Sequence, residues 1–241
     1  MPPWSAKTSG ENGTAVADRA RLLQDVWSDT ADGAPSAFVA AGLAAGAATG
    51  ATAGSKPVLW VQDRASRRVA GRPSEAGLRR AFGLRSPILH VAVGHPRDAL
   101  RAMEEGVACA ALGAVVGEVD ADAPALDLVA TKRLMLRAGL SGVAVWLIRS
   151  RTGRESAAGS GLSAARLRWR VDSVPSAAHP LDPAAPGDAR WSARLVRAAG
   201  RAPGEWELVH DPDAPDRFRL AAGLADGALA AEPDEPARIA G

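Results

Sequence analysis

Residues 88–120 read ILHVAVGHPRDALRAMEEGVACAALGAVVGEVD, and this stretch decides the fold. It contains two continuous apolar runs, ILHVAV at its start and LGAVVGEV near its end. Continuous apolar runs of this length are typical of strands that are buried on both faces. Between them, Leu100, Met103 and Val107 fall on one stripe of a helix. A strand, a helix and a second strand in this order predict a βαβ unit with parallel strands.

The same alternation continues on both sides of this unit. PVLWVQ (57–62) and VAVWLI (143–148) are two further apolar runs, and EAGLRRAFGL and DLVATKRLMLRAGL are helical patterns. Asp127 stands where an N-cap of the second helix is expected. The sequence therefore predicts an α/β fold with a mostly parallel sheet flanked by helices.

The pattern changes after Arg149. LRWRVDSV (167–174) and EWELVH (205–210) alternate polar and apolar residues, and RAPG (201–204) provides a hairpin turn before the second of them. Period-two alternation is typical of strands with one solvated face. We expect antiparallel strands at the sheet edge, with a proline-rich surface loop over 175–190.

Tryptophan is unusually frequent, with seven residues in a chain that has no tyrosine. Trp60, Trp146, Trp169 and Trp206 fall in predicted strands, and we expect them to pack in or near the core. An exposed Trp169 beside arginines would instead suit base stacking with single-stranded DNA.

The chain divides into one domain and two flanks. Residues 1–14 are polar and contain glycine, so we expect a flexible N-terminus before an α/β domain over 15–220. We expect residues 221–241 to form a partly mobile C-terminal tail, whose end at 232–236 is acidic and contains proline. Residues 218–230 predict a short amphipathic helix that either caps the domain or docks on a partner. The leucines that would make the partner contact are Leu220, Leu224 and Leu229.

Composition excludes several classes of protein. The formal net charge is +2, and 47% of the residues are hydrophobic, so the chain can bury a core. No apolar run reaches the ~20 residues of a membrane helix, and no secretory signal is visible, so we expect a soluble cytoplasmic protein. Cys109, the only cysteine, is predicted to be buried and inert. The four histidines lack metal-site spacing, so neither a metal nor another cofactor is expected.

Five stretches carry a resemblance to a known family. They are PVLWVQD, DALRAMEEGVACAALGAVVGEVD, LDLVATKRLMLRAGLSGVAVWLIRS, RLRWRVDSVPS and WSARLVRAAGRAPGEWELVHDPDAPDRFRLAAGLAD, and together they cover most of residues 57–227. The chain resembles the ImuA family, degenerate relatives of the RecA ATPase that act in bacterial damage-induced mutagenesis. The resemblance implies a RecA-like core and a scaffolding role in SOS-induced translesion synthesis. The implied partners are the inactive Y-family-like protein ImuB, an error-prone C-family polymerase, RecA and single-stranded DNA.

A nucleotide site would lie between the first strand and the first helix. A phosphate loop needs G-x-x-x-x-G-K-[ST], whose lysine reaches the β- and γ-phosphates. Here Gly33 and Ser36 offer a glycine and a hydroxyl without a lysine between them, and Pro35 removes one N–H donor. Ser36 is the expected N-cap of a helix over 36–45. The loop is therefore interpreted as degenerate.

The acidic residues of the expected site also indicate a degenerate nucleotide site. Glu118 and Asp120 end an apolar strand, where an aspartate would help to hold Mg²⁺. By resemblance to RecA, a glutamate that activates water should follow the strand LWVQ, but Gln62 and Asp63 stand there instead. We expect these strand-end residues to be solvated and ATP hydrolysis to be absent.

A second candidate site is the arginine-rich segment after the last parallel strand. The loop 149–166 occupies the place of a mobile DNA-contacting loop in RecA-like proteins, and Arg149, Arg151 and Arg154 could neutralise phosphates there. Arg168 and Arg170 follow in RLRWRV. The alternative is a soluble loop without a DNA contact.

Two further functions compete with the accessory role. One is an ATPase or recombinase with a non-standard nucleotide site, against which the missing lysine argues. The other is a division inhibitor similar to SulA, which shares the degenerate RecA core and binds FtsZ. The long C-terminal extension favours ImuA over SulA.

Overall fold

The computed structural model describes residues 23–30, 32–48, 56–151, 161–198, 202–211 and 218–220. The flanks 1–14 and 221–241, with Leu224 and Leu229, lie outside these ranges. The first elements in chain order are β1 (Leu23–Trp27), α1 (Ala34–Ala48), β2 (Val58–Gln62), α2 (Arg64–Ala70), α3 (Glu75–Phe82), β3 (Ile88–Ala92), α4 (Pro96–Val107) and β4 (Ala114–Asp120). They are followed by α5 (Leu128–Ser141), β5 (Ala144–Ser150), β6 (Leu167–Val174), β7 (Ala178–His179), β8 (Asp182–Pro186), β9 (Arg190–Ala198), β10 (Gly204–His210) and β11 (Phe218–Leu220).

One nine-stranded sheet organises the described residues, in the order β11-β10-β9-β6-β1-β5-β4-β2-β3. The six strands from β6 to β3 in this order pair in parallel, and β9, β10 and β11 extend the sheet in antiparallel fashion. The predicted α/β fold, with a mostly parallel sheet and antiparallel C-terminal strands, is confirmed.

Two apolar layers cover the sheet. On one face, α1 and α3 pack over Trp60, Trp146, Trp169 and Trp191, and Trp206 packs at the margin. On the other face, α4 and α5 enclose a second cluster of aliphatic side chains. The expected burial of the strand tryptophans is confirmed.

Close packing fixes α4 on the sheet. A β-carbon at Gly117 of β4 would overlap the side chain of Met103, and one at Gly106 of α4 would overlap Leu59. These two glycines therefore let the helix and the strands approach more closely than larger residues would allow.

Several local predictions differ from the structure. The first helix begins at Ala34 rather than Ser36, because the Asp32 carboxylate accepts from the Ala34 N–H at 3.0 Å and caps it there. β3 is an edge strand and half-buried, since nothing pairs with its outer side in the described sheet. The helix predicted over 218–230 is wrong at its start, because residues 218–220 form β11 and pair with β10.

Other differences concern turns and loops. The helix α2 was not predicted, and it depends on Asp63, whose side chain accepts from the Ser66 N–H at 2.7 Å. The proline-rich insert contains the two-stranded β7–β8 ribbon. Cys109 is exposed rather than buried, because it lies in the turn that follows α4. The N-cap at Asp127 is confirmed by a 2.7 Å bond from the Ala130 N–H.

No helix in the described part of the chain is long and apolar enough to cross a membrane.

A buried ion pair lies at the centre of the sheet. Asp25 of β1 is completely buried, and both of its oxygens lie 2.9 Å from Nε of Arg149 on β5. Arg168 of β6 approaches the same carboxylate at 3.3 Å and stacks over the Trp27 ring. One carboxylate therefore links the three adjacent strands β5, β1 and β6.

We expect Asp25→Ala to destabilise the protein strongly, by about 3–5 kcal/mol, because it leaves a buried guanidinium without its counter-ion. The double variant Asp25→Leu/Arg149→Met, which removes both charges of the inner pair, should retain more stability than Asp25→Ala alone. Urea unfolding measures both, with Asp122→Ala as the exposed control. A cost below about 1 kcal/mol for Asp25→Ala would contradict the prediction.

Candidate functional site

The carboxyl ends of β1 and β5 form the place where a ligand is expected. In the order of the strands, β2 lies on the β5 side of β1, whereas β6, which follows β5 in the chain, lies on the other side of β1, so the strand order reverses at β1. Open α/β sheets hold ligands in the crevice beside such a change of direction. This position coincides with the predicted nucleotide site.

Among the residues that the structure describes, a small cavity lies in this crevice. Its volume is about 20 Å³, which is room for about one water molecule. Val69 and Ala70 of α2 and Pro35 and Ser36 of α1 are among the residues that line it. The remaining lining residues are Ser28, Thr30, Asp32, Ile148, Arg149, Ser150 and Arg151.

The loop between β1 and α1 carries carboxylates where a phosphate loop would carry a lysine. Asp32 accepts from the Ala34 N–H and, at 2.8 Å, from the Thr30 hydroxyl. Asp172 of β6 accepts from the Ser28 hydroxyl at 2.8 Å and from the Asp29 N–H at 2.9 Å. These donors are therefore already bound to carboxylates, and the negative charges would repel a phosphate.

The carboxyl group of Asp172 is more acidic than an ordinary aspartate. Partial burial acts to raise the pKa of Asp172, but bonds from the Ser28 hydroxyl, the Asp29 N–H and the Arg170 guanidinium outweigh it and hold the pKa below its ordinary value. The negative charge at the loop thus persists at neutral pH.

Glu118 is the centre of a buried hydrogen-bond network. Its Oε1 accepts from Ser36 Oγ at 3.0 Å and from Trp60 Nε1 at 2.9 Å, and its Oε2 accepts from Gln62 Nε2 at 2.6 Å. Burial raises the pKa of Glu118, against the opposing effect of these three bonds. The expectation of solvated strand ends is wrong for Gln62, Asp63 and Glu118, since each is at most 2% exposed.

Gln62 extends this network to His90. The Gln62 amide nitrogen also donates to the Gly71 carbonyl at 2.8 Å, and its Oε1 lies 2.8 Å from His90 Nε2. Because Gln62 Oε1 can only accept, His90 Nε2 is the donor. Burial first, and then the charges of Arg72 and Arg67, lower the pKa of His90.

The predicted nucleotide residues are only partly brought together. Ser36 and Glu118 are in direct contact. Gly33 contributes its carbonyl to the first turn of α1, where it accepts from the Ala37 N–H at 3.0 Å. Asp120 is the last residue of β4, and its N–H donates to Asp63 Oδ2 at 2.7 Å. The four residues do not surround one ligand-sized space.

Arg149 is a correction to the predicted DNA-binding set. It is 1% exposed and bound to Asp25, so it is not available to a phosphate at the surface. Arg168 is largely buried against the same carboxylate. Arg170 is more exposed but contacts Asp29 at 2.9 Å and Asp172 at 2.7 Å.

The remaining predicted DNA-binding residues are Arg151 and Arg154, and Leu220 was predicted to bind a partner. Arg151 donates to the Asp29 carbonyl, and Arg154 lies outside the described residues. Leu220 belongs to β11, where it is opposite Leu208 of β10. Leu220 is therefore part of a strand and not of the expected helix.

We expect the stability of the wild type, relative to Glu118→Gln, to fall as the pH rises. A carboxylate whose pKa is raised on folding binds its proton more tightly in the native state, so its stabilisation is greatest below the ordinary value of 4.5 and is lost as the pH passes the raised pKa. Urea unfolding over a pH series measures the difference, with the exposed Glu75→Gln as control. A difference that grows with pH would contradict the prediction.

Within the described ranges, no group of three or more His, Cys, Asp or Glu residues is arranged to hold a metal ion. No protein-family model matches the chain, and no curated protein matches its sequence.

Proposed function

We propose that this chain is a non-catalytic, RecA-like accessory protein of SOS-induced translesion DNA synthesis, which scaffolds ImuB and an error-prone C-family polymerase. The observation that supports the absence of catalysis in this proposal is the small volume of the cavity at the carboxyl end of β1. The resemblance of residues 57–227 to the ImuA family supports the place in damage-induced mutagenesis.

The crevice argues against a nucleotide on grounds of space and charge. Small-ligand pockets measure ~300–1,000 Å³, whereas the cavity here has about 20 Å³. Asp32 and Asp172 occupy the N–H and hydroxyl donors of the loop. A triphosphate would need more room than this cavity offers and would have to overcome the repulsion of these carboxylates.

Glu118 is also unsuited to catalysis. A general base must reach the water that it activates, directly or through one further water. Both oxygens of Glu118 are held by protein donors beneath the surface. Its role in this proposal is to fix α1, β2 and β4 to one another.

A scaffold uses surfaces that stay constant, and the closed crevice suits that role. By resemblance, the partners are ImuB, the polymerase, RecA and single-stranded DNA, and the compartment is the cytoplasm. A SulA-like inhibitor would instead bind FtsZ, so co-purification with FtsZ rather than ImuB would overturn the proposal.

We expect no saturable Mg-ATP binding and no ATP turnover above background. The physical reasons are the missing lysine, the acidic loop and the small cavity. Isothermal titration and a steady-state phosphate assay on the purified protein measure both properties. Steady hydrolysis that Glu118→Ala abolishes would favour the rival ATPase.

We expect deletion of residues 221–241 to remove capture of ImuB while leaving the melting temperature unchanged. The cut preserves β11, which completes the described sheet, so the domain keeps its strand pairing. Thermal unfolding and a pull-down with tagged ImuB measure the two effects. A truncated protein that still captures ImuB would refute the role of the tail.

A further inference from the structure

Four arginines form a ridge on α2 and the turn after it. They are Arg64, Arg67, Arg68 and Arg72, and we call them the arginine ridge. All four are exposed. The spacing of the first three, i, i+3 and i+4, places them on one side of the helix.

The arginine ridge has no counter-ions in the part of the chain that the structure describes. The ion pairs there involve other arginines, at positions 79, 101, 133, 137, 149, 168, 170 and 190. The nearest acid in sequence, Asp63, is buried, and its two oxygens accept from the Ser66 and Asp120 N–H groups. The positive charge of the ridge is therefore not neutralised by its own helix.

A groove lies beside the arginine ridge. Arg64, Arg67 and Arg68 line one wall, and Ala92, Val93 and Gly94 at the end of β3 line the other. Its volume is about 600 Å³. Open space lies above Gly94, because a β-carbon there would meet no atom within 4 Å. The groove can therefore admit a chain-like ligand alongside the guanidinium groups.

The buried network holds the ridge in place. Asp63 caps the start of α2 and binds β4 through Asp120, while Gln62 holds the Gly71 carbonyl at the end of the helix. Both ends of α2 are thus fixed to the sheet. A ligand would not have to order the backbone of the ridge, which lowers the entropic cost of binding.

The arginines of the ridge also act on a neighbouring histidine. The charges of Arg72 and Arg67 add to burial in lowering the pKa of His90 beside them. His90 is therefore neutral at physiological pH and donates to Gln62. It does not itself act as a phosphate-binding cation, so the arginines would carry the interaction.

We propose that the arginine ridge binds the phosphate backbone of a single nucleic-acid strand. Guanidinium groups match phosphate oxygens in bidentate geometry. Arg64 and Arg68 are one helical turn apart, about 6 Å along the axis, which suits contact with successive phosphates. The walls of the groove contain no aromatic side chain for base stacking, so binding is independent of sequence. This proposal rests on the function proposed above in one respect only, which is that the nucleic acid is taken to be single-stranded DNA.

The test is the salt dependence of binding to a fluorescent oligothymidylate, measured by anisotropy with the full chain. The ridge variant is Arg64→Gln/Arg67→Gln/Arg68→Gln. The matched control is Arg80→Gln/Arg85→Gln/Arg194→Gln, which changes exposed arginines elsewhere. Both variants lower the formal net charge from +2 to −1.

We expect the ridge variant to lose at least about tenfold in affinity at 50 mM salt, and its log–log salt slope to fall by about 0.7 for each lost phosphate contact. The control should change little, and replacement of the same three ridge residues by lysine should keep most of the slope. Equal loss in the ridge variant and the control, or no binding by the wild type, would overturn the proposal.

Two competitors complete the experiment. Duplex DNA of equal charge should compete less well than the single strand, and polyglutamate should compete less well than either; the reverse order would overturn the choice of ligand. ImuB capture by the ridge variant should be normal. Loss of DNA binding with normal ImuB capture therefore separates this surface from the proposed scaffolding role.

Discussion

Asp25 imposes the constraint on which the centre of the sheet depends. A carboxylate that is completely buried needs compensation from neighbouring charges, and Arg149 supplies it through a bond to each oxygen. Arg168 adds a second cation from β6. The three strands β5, β1 and β6 are consequently joined by side-chain electrostatics as well as by their backbone hydrogen bonds. This is the position in the sheet at which the strand order reverses.

Glu118 makes a second buried constraint next to the first. Its three donors come from α1 and β2, so the beginning of the first helix is fixed to the ends of two strands. The polar groups at this edge bind one another instead of a ligand. At this edge, Asp63 binds the beginning of α2 and Gln62 binds the carbonyl that follows its end. The arginines of this helix are exposed on its outer side.

Much of the fold could be predicted from periodicity alone. The runs PVLWVQ and VAVWLI and the alternating LRWRVDSV gave strands close to their observed bounds, because burial on one or two faces leaves a direct pattern in the sequence. The edge position of β3 could not be read in this way, since an apolar run does not reveal which strands lie beside it.

The polar residues of the site were harder to predict. A charged residue in a strand or at its end resembles a solvated residue unless its partner is known, and Arg149 and Asp25 are separated by 124 positions in the chain. Glu118 and Gln62 are likewise 56 positions apart. The acid inside the apolar segment LQDVW was the one available signal, because a charge in the middle of a buried strand requires a partner.

The central position of β1 has a consequence for synthesis on the ribosome. β1 occupies residues 23–27, but its two neighbours are β5 and β6, which begin at residues 144 and 167. Until β5 and β6 have been synthesised, β1 has neither of its neighbours to pair with, and Asp25 has neither of its arginine partners. Non-local pairing of this kind slows folding and exposes strand edges to association. The emerging chain should therefore depend on chaperone protection until β6 has left the exit tunnel.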